Sequence, residues 1–246
     1  MGVSNLSTVS SLRSLDENLI SHIPPFRKLE RVDIREILDA ATPKRFSAGQ
    51  AIFEEHEPAE RFFLLLDGHV RVIRTTAAGD QVIARHIVSG ELMGIAPAIG
   101  RTTYPASAVA IDDCLVLFWP TNLWQTFVAK YDGFATETYK TVGERISEAN
   151  NHILELATQQ VEQRVARALL RLAIQSHRDT EEGMEIDFPL TRQNISEMTG
   201  TTLYTVSRLL SAWEKQGIVT SGRKKVVVTD LGKLKTLADL DPMGDS

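Results

Sequence analysis

The stretch from Thr191 to Val228, TRQNISEMTGTTLYTVSRLLSAWEKQGIVTSGRKKVVV, leaves little freedom in how it folds. Ile195 and Met198 stand three apart, the spacing of one face of a short helix over residues 192–198, with Thr191 as its cap and Gly200 as its stop. Thr201 or Thr202 caps a second helix, in which Val206, Leu209, Leu210 and Trp213 recur at helical spacing until Gly217 ends it. Leu203, Tyr204, Ser207 and Arg208 fall between those apolar positions and project together from the opposite face, near the helix start. Beyond the helix, residues 218–220 and 226–229 are β-branched runs on either side of Ser221-Gly222-Arg223-Lys224-Lys225, which predicts a hairpin with a basic tip.

Helix, turn, helix and basic hairpin is an arrangement that puts a recognition helix against base edges and a wing against phosphate. The charge is distributed accordingly. The chain carries 27 Lys and Arg against 32 Asp and Glu, yet residues 189–235 hold eight basic side chains and three acidic ones. The segment LTRQNISEMTGTTLYTVSRLL resembles the signature of the Crp/Fnr family of transcription regulators, a T-R-x-x-I segment closed by glycine and followed by T-V-S-R. The resemblance extends over nearly the whole chain. It implies that Ser207 and Arg208 contact bases, Arg208 being suited to a bidentate bond with guanine O6 and N7. Thr191, Arg192, Gln193, Thr202, Leu203, Tyr204, Arg223 and Lys224 complete the expected DNA-binding set. Many members of the family carry an acidic residue where this chain has Tyr204. A tyrosine cannot accept from cytosine N4 as a carboxylate does, so the half-site common in the family is not the one expected here.

A chain of 246 residues that is 43% hydrophobic is long enough for two domains. No run of about 18 uncharged apolar residues occurs, and the N-terminus lacks the basic start and apolar stretch of a signal peptide, so a cytoplasmic protein with no membrane partner is expected. Residues 1–20 are polar and rich in serine, and are expected to be mobile. Residues 21–40 have helical periodicity, with Leu29, Val32, Ile37 and Leu38 on one face. The period then changes. Short β-rich runs at 51–53, 62–66, 70–74, 81–87 and 107–118 are punctuated by Gly49, Asp67-Gly68, Gly79-Asp80 and Gly90, the pattern of a sandwich or rolled sheet. By resemblance this is the double-stranded β-roll of cyclic-nucleotide-binding domains.

In nucleotide-binding members of the family, one segment between strands holds a glutamate for the ribose and an Arg-Ser pair for the cyclic phosphate. The matching segment here, GELMGIAPAIGRTTYPASAVA, keeps Gly94 but places Ile95 at the glutamate and Tyr104-Pro105 at the Arg-Ser pair. A buried phosphate would lack its partners, so cyclic AMP is not the expected effector. Arg101 lies three residues before Tyr104 and is the remaining cation of the segment. The resemblance also puts Ala149 and Asn150 opposite this pocket. Tyr-Pro-Ala is similar to the branch that senses oxygen or nitrogen oxides, which implies an effector such as nitric oxide or a redox signal. Cys114 is the single cysteine, which excludes a four-cysteine iron-sulfur cluster. The cofactor is left unidentified. Haem is the branch option, with His22, His56, His69, His86, His152 and His177 as the available axial ligands.

Between the two halves, Tyr139, Val142, Ile146, Ala149, Ile153 and Leu156 alternate in spacings of three and four, a heptad seam with Glu144, Arg145, Glu148 and Glu155 outside it. Such a seam ahead of a DNA reader predicts a homodimer. A turn near 157–160 leads to a further helix over 161–176. The expected class is therefore α+β: mobile residues 1–20, an effector-sensing β-roll over 21–130, a dimerisation helix over 131–160 and a winged helix-turn-helix over 161–246. The partners expected are an inverted-repeat operator in double-stranded DNA, a second copy of the chain and, for an activator, RNA polymerase. Two alternatives stay open: a cyclic-nucleotide-responsive regulator with a variant pocket, and a regulatory module that does not bind DNA. No phosphate loop, HExxH or nucleophile elbow points to an enzyme.

Overall fold

The β-rich half is organised around one strand that is apolar on both faces. The computed structural model describes residues 16–239. After α1 (Arg31–Asp39) come β1 (Thr42–Phe46), β2 (Ala51–Phe53), β3 (Arg61–Asp67), β4 (Val70–Thr75), β5 (Gln81–Ile87), β6 (Leu92–Met93), β7 (Ser107–Ala110) and β8 (Cys114–Pro120). These make two antiparallel sheets, ordered β1-β8-β3-β6 and β2-β7-β4-β5. On β3, Phe63 and Leu65 point between the sheets toward Phe53, Val70, Ile87 and Val116. Phe62 and Leu64 point the other way, onto Phe26, Ile37, Trp119 and Phe134. Successive side chains leave a strand on opposite faces, so the unbroken run Phe-Phe-Leu-Leu-Leu serves two cores at once.

Three expectations about this half need correction. The helix foreseen over residues 21–40 is confined to Arg31–Asp39, because Pro24 and Pro25 cannot sustain helical hydrogen bonding and the chain before them runs through turns. Its buried face is Ile34, Ile37 and Leu38, whereas Val32 faces solvent. The run 107–118 is two strands, β7 and β8, separated at Asp112-Asp113. Strand β1 escapes a pattern search because only Phe46 of its five residues is buried. Of the N-terminal segment 1–20, only Asp16–Ile20 lies within the described residues, where Asp16 caps the 3-10 turn Glu17–Leu19 and Ile20 is fully buried.

Helices α2 (Trp124–Lys130) and α3 (Asp132–Thr158) follow. The first turns of α3 are held by Phe134 in the outer core and by Glu137, which accepts from Arg27 at 3.0 Å. Farther on, Tyr139, Ile146, Ile153 and Leu156 are exposed, and Val142 is partly covered. Glu155 is not a solvated flank of the seam as its position in the heptad implied. It is buried, because Arg171 closes on it with two bonds of 2.7 and 2.9 Å and His152 lies 3.4 Å away.

The chain ends with α4 (Val161–Gln175), β9 (His177–Thr180), β10 (Gly183–Ile186), α5 (Arg192–Thr199), α6 (Leu203–Lys215), β11 (Val219–Ser221), β12 (Val226–Val228) and α7 (Leu231–Asp239). The four strands form one sheet, ordered β11-β12-β10-β9, in which β9 and β10 are too polar to show as strands in the sequence. Val165, Leu169, Leu172, Ile195, Val206, Leu210, Trp213 and Leu234 make its core, and that core does not stop at the domain edge. Ile73 of β4 and Ile83 of β5 are buried in it, with Val109 and Ile111 packed alongside. The α+β order of roll, long helix and winged helix-turn-helix is thus present. Among the described residues no helix is long and apolar enough to cross a membrane.

Candidate functional site

The reading end is built from two caps and one left-handed residue. The Thr191 hydroxyl accepts from the Asn194 N–H at 3.1 Å, while Asn194 Oδ1 accepts in return from the Thr191 N–H. Gly200 then takes φ 60° and ψ 39°, a conformation that costs a side-chain-bearing residue energy, and so ends α5 sharply. The Thr202 hydroxyl accepts from the Thr205 N–H at 3.1 Å and starts α6. Val206, Leu210 and Trp213 bury one face of α6. Leu203, Tyr204, Ser207 and Arg208 are left on the other, and the Arg208 guanidinium lies 5.9 Å from the centre of the Tyr204 ring.

Around this face the remaining expected residues divide. Arg192 donates to the Ser221 hydroxyl at 3.2 Å and ties α5 to the wing. Gln193 is exposed and donates to Glu197 at 2.9 Å. Arg223 and Lys224 are exposed at the hairpin tip. Lys225 is not a free tip charge, because the buried Glu185 carboxylate takes it at 2.8 Å and takes Arg178 as well. These two cations hold Glu185 below its ordinary carboxylate pKa. No sequence pattern points to the Glu214 carboxylate, which accepts from the Ser221 N–H at 3.0 Å and fixes the wing to α6. Only a contact between strand and helix reveals that role.

The expected effector residues are not gathered in one place. Tyr104 is buried between the sheets, stacked on Phe53 at 4.1 Å between ring centres, and its hydroxyl donates to the Arg61 carbonyl at 2.7 Å. Burial pushes its phenol pKa up. Gly94, at φ 65°, is packed so closely that a Cβ there would stand 2.8 Å from Phe63 and 3.3 Å from Tyr104. Ile95 belongs to the outer core, and Pro105 is half-buried. Arg101 is exposed after the short turn Ala96–Ile99, and Ala149 and Asn150 are exposed on α3. Tyr104 therefore supplies an aromatic ring and a satisfied hydroxyl where a cyclic phosphate would require a cation.

The six histidines named as possible axial ligands stand in different surroundings. Both ring nitrogens of His69 are engaged, by Asp112 at 2.7 Å and by the Ser176 hydroxyl at 3.0 Å. His86 is buried with its ring stacked 5.0 Å from that of Phe188, and His152 sits against Glu155. His56 and His177 are exposed. His22 lines a cleft of about 330 Å³ together with Asp16, Asn18 and Ser89 on its polar side and Leu19, Ile23 and Leu66 on its apolar side. Cys114 is buried, and burial raises its thiol pKa to about 11, which removes it as a nucleophile at neutral pH.

The roll, α3 and the reader meet at two junctions. At one, Glu91 accepts from Arg85 at 2.7 Å and from Gln175 of α4 at 3.3 Å, with Arg145 of α3 at 3.8 Å. At the other, Arg164 donates to the carbonyls of Thr199 and Gln159, joining the turn of the helix-turn-helix to the end of α3. Leu156 lies against Gly200 at the same point.

Residues 163–237 match the model of a Crp-like helix-turn-helix domain, and residues 43–131 match that of a cyclic nucleotide-binding domain. The cyclic AMP receptor protein of Thermus thermophilus is 26% identical over 215 residues, 87% of this chain and 96% of the relative. The fumarate and nitrate reduction regulatory protein of Yersinia pestis is 25% identical over 198 residues, 79% of this chain and 78% of the relative. Among solved structures, FixK2 from Bradyrhizobium japonicum superposes with a TM-score of 0.71 at 25% identity, covering 80% of this chain and 96% of that one.

Proposed function

The chain belongs to the Crp/Fnr family of DNA-binding transcription regulators, and from that premise we propose that it acts as a homodimer, reads an inverted-repeat operator and is switched by an effector other than cyclic AMP. The observation that carries the DNA-reading part is the outward face of α6. Leu203, Tyr204, Ser207 and Arg208 stand there without being drawn into the core, beside a wing tip with two exposed cations. Arg208 presents two donors to guanine O6 and N7, while Arg223 and Lys224 lie where phosphate passes.

The dimer part rests on α3. Tyr139, Ile146, Ile153 and Leu156 leave a line of large apolar side chains in water, which a second copy of the helix would cover by knobs-into-holes packing. A two-fold axis along α3 then sets the two α6 helices about one helical turn of DNA apart, at roughly 34 Å.

The effector part rests on Ile95, Tyr104 and Pro105, which offer no charge to a cyclic phosphate. A ligand that touches the roll and α3 differently in two arrangements of the reader would shift the balance between them. The Glu91 and Arg164 junctions are the points where such a shift reaches α4 and the helix-turn-helix.

A mobility-shift titration with a selected operator tests the reading. Arg208→Ala is expected to weaken specific binding by about 10- to 100-fold while leaving nonspecific binding in place. Unchanged affinity would refute the role of α6. Sedimentation of the same protein should give a dimer that Ile146→Glu with Ile153→Glu dissociates. A monomer that binds the operator specifically would refute the dimer.

A further inference from the structure

The start of α6 carries apolar surface that nothing among the described residues covers. Leu203 is 48% exposed and Tyr204 71% exposed, although they begin a helix whose other face, Val206, Leu210 and Trp213, is completely buried. Neither belongs to any hydrophobic core cluster. The first turn of a helix is held by its cap, here Thr202, and needs no apolar residue at these two positions. The Tyr204 ring lies 5.9 Å from the Arg208 guanidinium one turn later.

The floor of the major groove has one apolar group, the 5-methyl of thymine. Every other feature a base pair shows there is a hydrogen-bond donor or acceptor. We infer that Leu203 and Tyr204 form an apolar lip that reads the methyl group of a thymine neighbouring the guanine bound by Arg208. This inference rests on the DNA-reading role of α6 proposed above and gives that role a base identity.

The chemistry of the lip sets the choice between pyrimidines. A cytosine in the same place would turn its N4 amino group toward an aliphatic side chain and an aromatic ring, and the lip supplies no carboxylate to accept from it. A thymine replaces water over its methyl group with Leu203 and the Tyr204 edge. The ring also has a second task. Lying one turn before Arg208, it gives the guanidinium a flat surface, so that the bidentate donor is oriented before the guanine arrives.

The test uses the full-length protein. Bound duplexes are first selected from a randomised pool, and the enriched half-site should contain guanine next to a thymine. That thymine is then replaced by deoxyuridine, which lacks only the methyl. In a second pair of duplexes the thymine–adenine pair becomes cytosine–guanine, with and without a 5-methyl on the cytosine. The wild type is expected to lose about fourfold in affinity on going to deoxyuridine, the value of one buried methyl, and to regain a similar factor on methylation of cytosine. Leu203→Ala and Tyr204→Ala, both at exposed positions, should each reduce or abolish the thymine-to-uracil difference. Tyr204→Phe should keep it, and Tyr204→Glu should move the selected base toward cytosine. Equal affinity of the wild type for thymine and uracil at every half-site position would overturn the inference, as would a difference that survives unreduced in both alanine variants. A pool from which no sequence is enriched would instead refute the DNA-reading role itself.

Discussion

The two faces of the sheet β2-β7-β4-β5 have opposite tasks. The inner face is closed: Phe53, Tyr104 and Phe63 stack in series, and the one hydroxyl among them is satisfied by the Arg61 backbone. The outer face is a docking surface for another domain, with Ile73 and Ile83 buried in the reader's core and His86 under Phe188. The inner face resembles a protein interior in its chemistry. The outer one mixes aliphatic contacts with His69, His86 and Arg71, and the Arg71 Nε is buried without a hydrogen-bond partner. A contact that leaves a buried polar group unpaired is weaker than its area implies, and so it is easier to open. The roll can therefore influence the reader through this sheet as well as through α3, since β4 contributes Val70 to the inner surface and Ile73 to the outer one.

The largest effect is expected where the outer face of this sheet meets Phe188 of the reader. Phe188→Ala removes the ring that covers both His69 and His86 and should cost about 3 kcal/mol in chemical denaturation. It should also raise protease sensitivity between the roll and the reader. Loss of stability without any gain in interdomain cleavage would mean that Phe188 supports the reader's own core only.

Acid gives a smaller and reversible version. Burial lowers the His86 pKa from 6.5 to about 4, and the nearby cations Arg71, His69 and Arg85 act in the same direction. The reader faces His86 with the Phe188 ring and the uncharged Gln175 side chain. The buried state thus favours neutral imidazole, while an open state takes up a proton near pH 6.5. The stabilisation is complete above that value and is lost as pH falls from 6.5 toward 4. At pH 5 the loss should be about 2 kcal/mol relative to pH 8. His86→Phe, which keeps a ring against Phe188, should remove that part of the pH dependence. An identical pH profile in the variant would show that other groups are responsible.

The smallest change concerns the inner face. Tyr104→Phe keeps the stack and deletes two hydrogen bonds, the one its hydroxyl donates to the Arg61 carbonyl and the longer one it accepts from the Arg61 N–H, so stability should fall by about 1.5 kcal/mol. Isothermal titration should detect no cyclic AMP binding in either protein at micromolar concentration. Binding by the wild type would show that Tyr104 moves aside and that the inner face is less closed than its packing indicates.

Parts of this arrangement were legible in the sequence because they follow from neighbours a few residues apart. Thr191, Gly200 and Thr202 act as cap, stop and cap, since capping is a bond between residues two or three apart. The exposed face of α6 followed from helical spacing in the same way. Strands β9 and β10 were not legible, because polar residues such as Arg178 and Asp179 become a strand only when β10 lies beside them, and β10 is itself held by β12. Glu155 shows the same limit inside a helix. Its place outside the seam was correct as a heptad position, but α4 returns over it and brings Arg171.

The sequence by itself determined the alternation of β3, the helical face of α6, the apolar seam of α3 and the absence of an Arg-Ser pair at Tyr104-Pro105. These depend on periodicities of two, 3.6 and 3.5 residues and on residue identity. The tertiary structure decided that Ile73 and Ile83 belong to the reader's core, that His69 bridges Asp112 and Ser176 over separations of 43 and 107 residues, and that His86 is held neutral. Desolvation depends on which atoms finally surround a group. Those atoms come from parts of the chain that no local pattern connects.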